Sequence, residues 1–194
     1  GILLVQSVIN SFGSTAIAGY SAGMRIESLS IVPMLSMGNA MSTFTAQNMG
    51  AGKIDRVKEG YRMCYVIVLT AGAVLCVMYQ LAGGAFVSLF LDSGSSEAYS
   101  VGLSYVKFLS FFYSFIGLKA STDGLLRGAG DVTAFTVANL VNLAIRVSVT
   151  NLFAPIYGIQ VAWMAVPLGW AANYVISFGW YLTGKWKKVR VIKK

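Results

Sequence analysis

The sequence has no histidine, two cysteines and only 7 acidic residues among 194. Each shortage excludes something. Without histidine, and with Cys64 and Cys76 at no ligand spacing, a zinc-type centre has no donor set. On one helix the two cysteine Cα atoms lie ~18 Å apart, too far for a disulfide. No nucleophile pattern with its base is present. The run Gly50-Ala51-Gly52-Lys53 lacks the spacing of a phosphate-cradling loop. A membrane-embedded enzyme would need a paired acid, histidine or metal constellation, so no enzyme is expected. Charged residues make up 11% of the chain, against roughly 25% in soluble domains. That scarcity excludes an ordinary soluble core.

What the chain does have is apolar residues, 56% of the total, in long continuous runs. Residues 28–52 carry no charge, and neither do residues 63–91. At ~1.5 Å per residue, helices of such length cross a ~30 Å hydrocarbon core. Transmembrane barrels need alternating strands of ~10 residues, and these runs do not alternate. The reading is an all-α membrane protein: a six-helix transmembrane bundle over residues 1–184, with a basic tail over 185–194. Helices are expected at about 2–12, 15–48, 62–82, 99–126, 132–153 and 159–182. The opening Gly1-Ile2-Leu3-Leu4-Val5 is already apolar and reads as cut from inside a membrane helix. Pro33 should bend the second helix, Gly83-Gly84 should end the regular part of the third, and residues 151–158 with Pro155 should form a turn.

The net charge of +8 raises nucleic acid as a partner, but topology accounts for it better. Most basic residues fall in the hinge from Lys53 to Arg62, at Arg127, and in the tail. The positive-inside bias puts these in the cytoplasm. The acidic stretch from Asp92 to Glu97 then lies on the other side. Lys residues of the tail can meet anionic headgroups, and Trp186 suits the interface. Membrane lipid is the expected partner, with no nucleic acid.

Several polar groups sit where apolar ones would be cheaper. Asn139, Asn142, Arg146 and Thr150 share one face of the fifth helix. That stripe must face other helices or a wet cavity, not lipid. Phe108, Phe112, Phe115, Lys119, Asp123 and Arg127 lie close to one face of the fourth helix. Lys119 and Asp123 are either an interfacial ion pair or an ion-coupling group, and the aromatic faces either pack or hold a flat organic cation. Gln6 and Asn10 are i, i+4 neighbours on the first helix, a bundle-facing pair with a minor claim on ligand. Arg25 and Glu27 are expected near the outer end of the second helix. Gly19 and Gly23 form a pair that permits close helix contact.

The run Ala46-Gln47-Asn48-Met49-Gly50-Ala51-Gly52-Lys53 with Arg56 resembles the MATE family of multidrug and toxin extrusion transporters. So do Ala18-Gly19-Tyr20-Ser21-Ala22, Leu126-Arg127-Gly128-Ala129-Gly130-Asp131 and Gly184-Lys185-Trp186-Lys187. The resemblance covers the whole chain and corresponds to helices seven to twelve, without the front of helix seven. It implies a twelve-helix protein of two six-helix bundles around a central cavity, with the N-terminal bundle missing here. The implied activity is secondary antiport: small organic, often cationic, drugs or toxins leave in exchange for protons or sodium ions by alternating access. The ion gradient supplies the energy, with no cofactor. The implied location is the bacterial cytoplasmic membrane. Gln47, Asn48, Gly50, Gly52, Arg127, Gly128 and Asp131 are the hinge positions. One branch of the family carries ion-coupling acids in helices seven and ten. Residues 1–24 hold no acid, and the helix-ten position falls on Ile116. A flippase for lipid-linked saccharides, from the same superfamily, is the alternative.

Overall fold

The computed structural model describes residues 2–92 and 96–188. Part of the expected acidic loop (93–95) and of the basic tail (189–194) lies outside the described residues. Seven α-helices occur among those described: α1 (Ile2–Asn10), α2 (Ser14–Gly50), α3 (Ile54–Ser88), α4 (Ser96–Ser110), α5 (Tyr113–Gly128), α6 (Val132–Tyr157) and α7 (Gln160–Leu182). A 3-10 turn, Lys185–Lys188, follows α7. The fold is all-α, as composition implies.

Three helices, α3, α6 and α7, are long and apolar enough to cross a membrane, and α4 with α5 forms a bent fourth. At 37 residues, α2 is ~55 Å long, but its small and polar residues dilute its hydropathy. The chain is an integral membrane protein.

The expected basic hinge from Lys53 to Arg62 is mostly helix, since α3 starts at Ile54 and not near residue 62, and three further boundaries differ from the sequence reading. The expected helix 99–126 is two helices, bent by 53° at Phe111-Phe112. No proline or glycine sits at the break. Instead Gln80 of α3 reaches in: its Nε2 donates to the Lys107 carbonyl (2.8 Å) and to Ser110 Oγ (2.9 Å). A side chain inserted into the helix ladder is a recognised cause of kinks. Second, α3 does not stop at Gly83-Gly84 but runs to Ser88. Gly83 instead gives room to Leu103, and a side chain at Gly84 would meet the Tyr99 hydroxyl. Third, α6 continues through Pro155 to Tyr157 and stops at Gly158, whose φ of 93° suits glycine. Pro33 likewise lies inside an α2 that continues past it.

The core forms where α5 is sandwiched between α2, α3 and α7. The crossing of α2 with α5 is made of small residues. A side chain at Gly124 would strike the Gly38 carbonyl, one at Gly128 the Ser42 carbonyl, and one at Gly38 the Ala120 backbone. Close backbone approach of this kind is how helices associate where lipid removes the hydrophobic drive. Gly19 and Gly23 play the same part against α4, facing Ala98, Val101 and the Tyr105 ring. The outer surface stays apolar: Met63, Val66, Val74, Val77 and Leu81 on α3 and Leu140, Leu152 and Ile156 on α6 are all exposed.

Candidate functional site

The two hinges are built alike. At the end of α2, Lys53 N–H donates to the Asn48 carbonyl (2.8 Å) and Ala51 N–H to the Gln47 carbonyl (3.1 Å), with Gly52 at φ 69°. At the end of α5, Asp131 N–H donates to the Leu126 carbonyl and Ala129 N–H to the Leu125 carbonyl (both 2.9 Å), with Gly130 at φ 84°. Both are glycine-closed helix ends that satisfy orphan carbonyls. Asn48 Nδ2 adds a bond to the Phe44 carbonyl (2.8 Å). Asp131 then starts α6: its Oδ1 accepts from Ala134 N–H (3.5 Å) and its Oδ2 from Trp180 Nε1 (2.6 Å). Arg127 ties α5 to α2 by donating to Asn39 Oδ1 (2.7 Å) and Ser42 Oγ (3.4 Å). Hinge side chains therefore link two helix pairs at one end, Arg127 tying α5 to α2 and Asp131 tying the start of α6 to α7. Just past α7, Trp186 is buried, donates to the Tyr181 carbonyl (3.0 Å) and stacks on that ring.

Asp123 sits one to two turns from that end and is buried, 4% exposed. Lys119 Nζ donates to it at 2.9 Å, Asn139 Nδ2 at 3.3 Å and Ser177 Oγ at 2.6 Å. Lys119 also donates to Asn139 Oδ1 (3.1 Å). The carboxylate thus joins α5, α6 and α7. Such a buried charge is tolerable because donors and a cation saturate it.

The structure separates groups that the sequence places on one face. Phe112 and Phe115, with Phe108, line an apolar cavity of about 290 Å³ closed by Met164, Pro167, Leu168 and Ala171 of α7. Lys119 and Asp123 line a different, polar cavity of about 320 Å³ with Asn39, Arg127, Phe135 and Asn139. Phe115 and Asp123 lie on the same stretch of α5, eight positions and ~12 Å apart along its axis, so the aromatic face and the acid open onto separate cavities. An aromatic cradle for a cation at Asp123 is not formed.

The α6 stripe divides as well. Asn139 belongs to the Asp123 cluster. Asn142 and Arg146 lie against Gly169 of α7, and Asn142 Oδ1 is buried without a hydrogen-bond partner among the described residues. Arg146 lines a third cavity, about 160 Å³, with Gln6, Tyr20 and Met24. Gln6 Nε2 donates to Asn10 Oδ1 (2.9 Å), and Asn10 itself is exposed. The stripe faces inward, toward α7 and α1.

Glu27 is the residue that sequence reasoning misplaces. It is 9% exposed, within the bundle, and the Tyr105 hydroxyl of α4 donates to its Oε2. Tyr20 and Trp163 pack on Tyr105, with ring centroids 5.3 and 5.5 Å away. Arg25, two residues earlier, is exposed beside the Phe90 ring. The spacing did carry the signal. Glu27 continues the i, i+4 ladder from Gly19 and Gly23, the face already marked for close contact.

The protein-family model described as MatE matches residues 2–163. The chain belongs to the MATE family. Among curated relatives, it is 28% identical over 192 residues to the probable multidrug resistance protein YpnP of Bacillus subtilis, covering 98% of this chain and 43% of that protein. It is 22% identical over 203 residues to the probable multidrug resistance protein NorM of Thermotoga maritima, covering 100% of this chain and 42% of that one. A solved inward-facing multidrug resistance MATE transporter shares the fold, with a TM-score of 0.83, 17% identity, and coverage of 91% of this chain and 40% of that chain. The chain therefore spans about two fifths of the length of the curated relatives it matches.

Proposed function

We propose that this chain is the C-terminal six-helix bundle of a secondary antiporter. The complete protein exports small organic, often cationic, drugs or toxins in exchange for protons or sodium ions. The observation that carries the reading is the family match over residues 2–163, together with relatives named as multidrug resistance proteins. The names favour drug export over lipid-linked saccharide flipping.

In this reading the chain lies in the bacterial cytoplasmic membrane, with the basic hinges and the tail in the cytoplasm. The N-terminal bundle of the same polypeptide packs against it across a central cavity. Polar groups at depth, Gln6, Asn142 and Arg146, form this bundle's share of the cavity wall. Phe112 and Phe115 offer an apolar pocket for a substrate's hydrophobic body. Asp123 with Lys119 acts as a clamp that lets α5, α6 and α7 move as one body, which rocking-bundle alternating access requires. Its saturated carboxylate supports a positioning role over an ion-coupling one.

The test uses the full-length parent in cells lacking their main drug pumps. Efflux of a fluorescent organic cation is followed while the proton and sodium gradients are collapsed separately. Efflux that depends on one gradient is expected, and that gradient names the ion. A well-folded, membrane-inserted protein that supports no efflux refutes the reading.

A further inference from the structure

The seam between α3 and α7 at the basic end is filled by aromatic rings, and none of the roles given above uses it. Both helices pack on α5. From the 3-10 turn down along α7 the rings form a stair. Trp186 stacks on Tyr181 at 5.6 Å between centroids, Tyr181 on Phe178 at 5.9 Å, and Phe178 on Tyr174 at 5.4 Å. From the α3 side, Tyr61 packs on Tyr181 at 4.7 Å and on Tyr65 at 4.4 Å. Tyrosine and tryptophan gathered at one end of a membrane helix suit the boundary between headgroups and hydrocarbon.

The hydroxyls inside the seam can be followed proton by proton, since each carries one. Thr122 of α5 donates to the Leu118 carbonyl (2.8 Å), so its oxygen is left to accept. Tyr61 gives its proton to Thr122 (2.7 Å) or to the Tyr65 oxygen. Tyr65 donates to the Tyr174 oxygen (3.2 Å). The chain ends there, because the Tyr174 proton meets no acceptor among the described residues. Tyr174 is half-buried, and a hydroxyl proton without an acceptor in an apolar medium is costly. Its acceptor has to come from outside the bundle.

What flanks this hydroxyl changes with depth. Toward the basic end, Arg62 lies three positions before Tyr65 on the same face of α3. It is exposed and forms no ion pair among the described residues. Lys187 Nζ stands 5.7 Å over the Trp186 ring at the top of the stair. Lys58 is nearby but already tied to Asp55 at 2.7 Å. Toward the middle of the membrane, Val66 and Leu69 of α3 and Val175 of α7 are exposed. Cations, then a spare hydroxyl donor, then apolar surface follow the order of phosphate, ester carbonyl and acyl chain in a phospholipid.

We propose that the α3–α7 seam is a binding site for one anionic phospholipid. Arg62 and Lys187 hold the phosphodiester, Tyr174 donates to an ester carbonyl, and an acyl chain lies along Val66, Leu69 and Val175. Basic sites between membrane helices hold anionic headgroups in this way. A zwitterionic lipid fits less well, because its own cation meets the same basic rim. The proposal needs only a chain in the membrane and is independent of the drug-export reading.

The experiment uses the purified full-length parent, stripped of lipid in a neutral detergent. Its thermal midpoint is followed against added phosphatidylglycerol or phosphatidylcholine. Phosphatidylglycerol is expected to raise the midpoint saturably, with phosphatidylcholine at least about tenfold weaker. Arg62→Gln combined with Lys187→Gln should weaken phosphatidylglycerol about tenfold. Arg56→Gln removes an exposed cation nine positions from Tyr65, on the opposite face of α3, and should leave that affinity unchanged. An ether-linked phosphatidylglycerol has no ester carbonyl and should bind the wild type about threefold more weakly. Tyr174→Phe should bind the ester and ether forms alike. Equal binding of the two headgroups by the wild type overturns the proposal, and so does equal binding of the ester and ether forms. These two comparisons need no variant. A loss in Arg56→Gln as large as in the double variant also overturns it, since diffuse charge would then account for the binding. Drug efflux, measured separately, can stand or fall whichever of these results is found.

Discussion

Removing both members of the Lys119–Asp123 pair should cost less than the two single removals added together. Their side chains are 12% and 6% exposed and meet at 2.9 Å. Asp123→Leu deletes an acceptor that serves three donors and strands the lysine, which keeps Asn139 Oδ1 at 3.1 Å. Breaking a buried pair by removing one partner typically costs about 3–5 kcal/mol. The remaining bond to Asn139 and the partial exposure of Lys119 bring the expected cost here to about 2–4 kcal/mol. Lys119→Met leaves the carboxylate with Asn139 and Ser177 and should cost somewhat less. The double variant removes both charges, so its loss should fall short of the summed single losses by about 2 kcal/mol. Denaturant titration of the purified full-length protein in mixed micelles measures all three. Single effects that add within about 0.5 kcal/mol would refute the clamp, because they would mean the two charges do not depend on each other.

Other outcomes follow from the same geometry. Asp123→Asn in the parent should reduce drug export through loosened positioning, with the proton-to-substrate ratio preserved; wild-type export by a well-expressed variant argues against it. Gly124→Val drives a side chain into the Gly38 carbonyl and should destabilise by about 1–3 kcal/mol or more, seen as a lowered thermal midpoint; an unchanged midpoint would mean that α2 and α5 are not held this closely. Gln80→Leu takes the Nε2 donor from the Lys107 carbonyl and from Ser110 Oγ, while the carbonyl keeps its bond from Ser110 Oγ, and should cost about 0.5–1.5 kcal/mol on the same assay. Arg146→Leu should damage export more than Lys107→Leu, since Arg146 lines a cavity whereas Lys107 can reach an interface; equal effects would remove the case for an inward-facing stripe.

The hinges were legible in the sequence because their causes are local. A glycine that closes a helix and the carbonyls it satisfies lie within six residues, so Gly52 and Gly130 announce themselves. Inward orientation of Asn139, Asn142 and Arg146 was legible for a similar reason, since helical spacing alone groups them. The break in α4–α5 was not. Its cause, Gln80, lies on another helix 27 positions before Lys107, and nothing at Phe111-Phe112 signals it. Phe112 and Asp123 seemed to share a site because helical spacing groups residues by face and takes no account of the ~16 Å between these two along the axis. Glu27 was misplaced because Arg25 beside it suggested an outer end, while the residue that accounts for its burial, Tyr105, lies 78 positions away.

The elbow has a mechanical meaning. Helix α4 holds 15 residues, an arm of ~22 Å. Turning it by about 10° about the joint would sweep its far end through about 4 Å, by the arm length just given. The arm carries Tyr105, the donor to Glu27, while the forearm beyond the joint carries Asp123. A rigid rod would have to transmit any tilt at one of these carboxylates to the other. An elbow lets the chain loosen its grip on one while holding the other still.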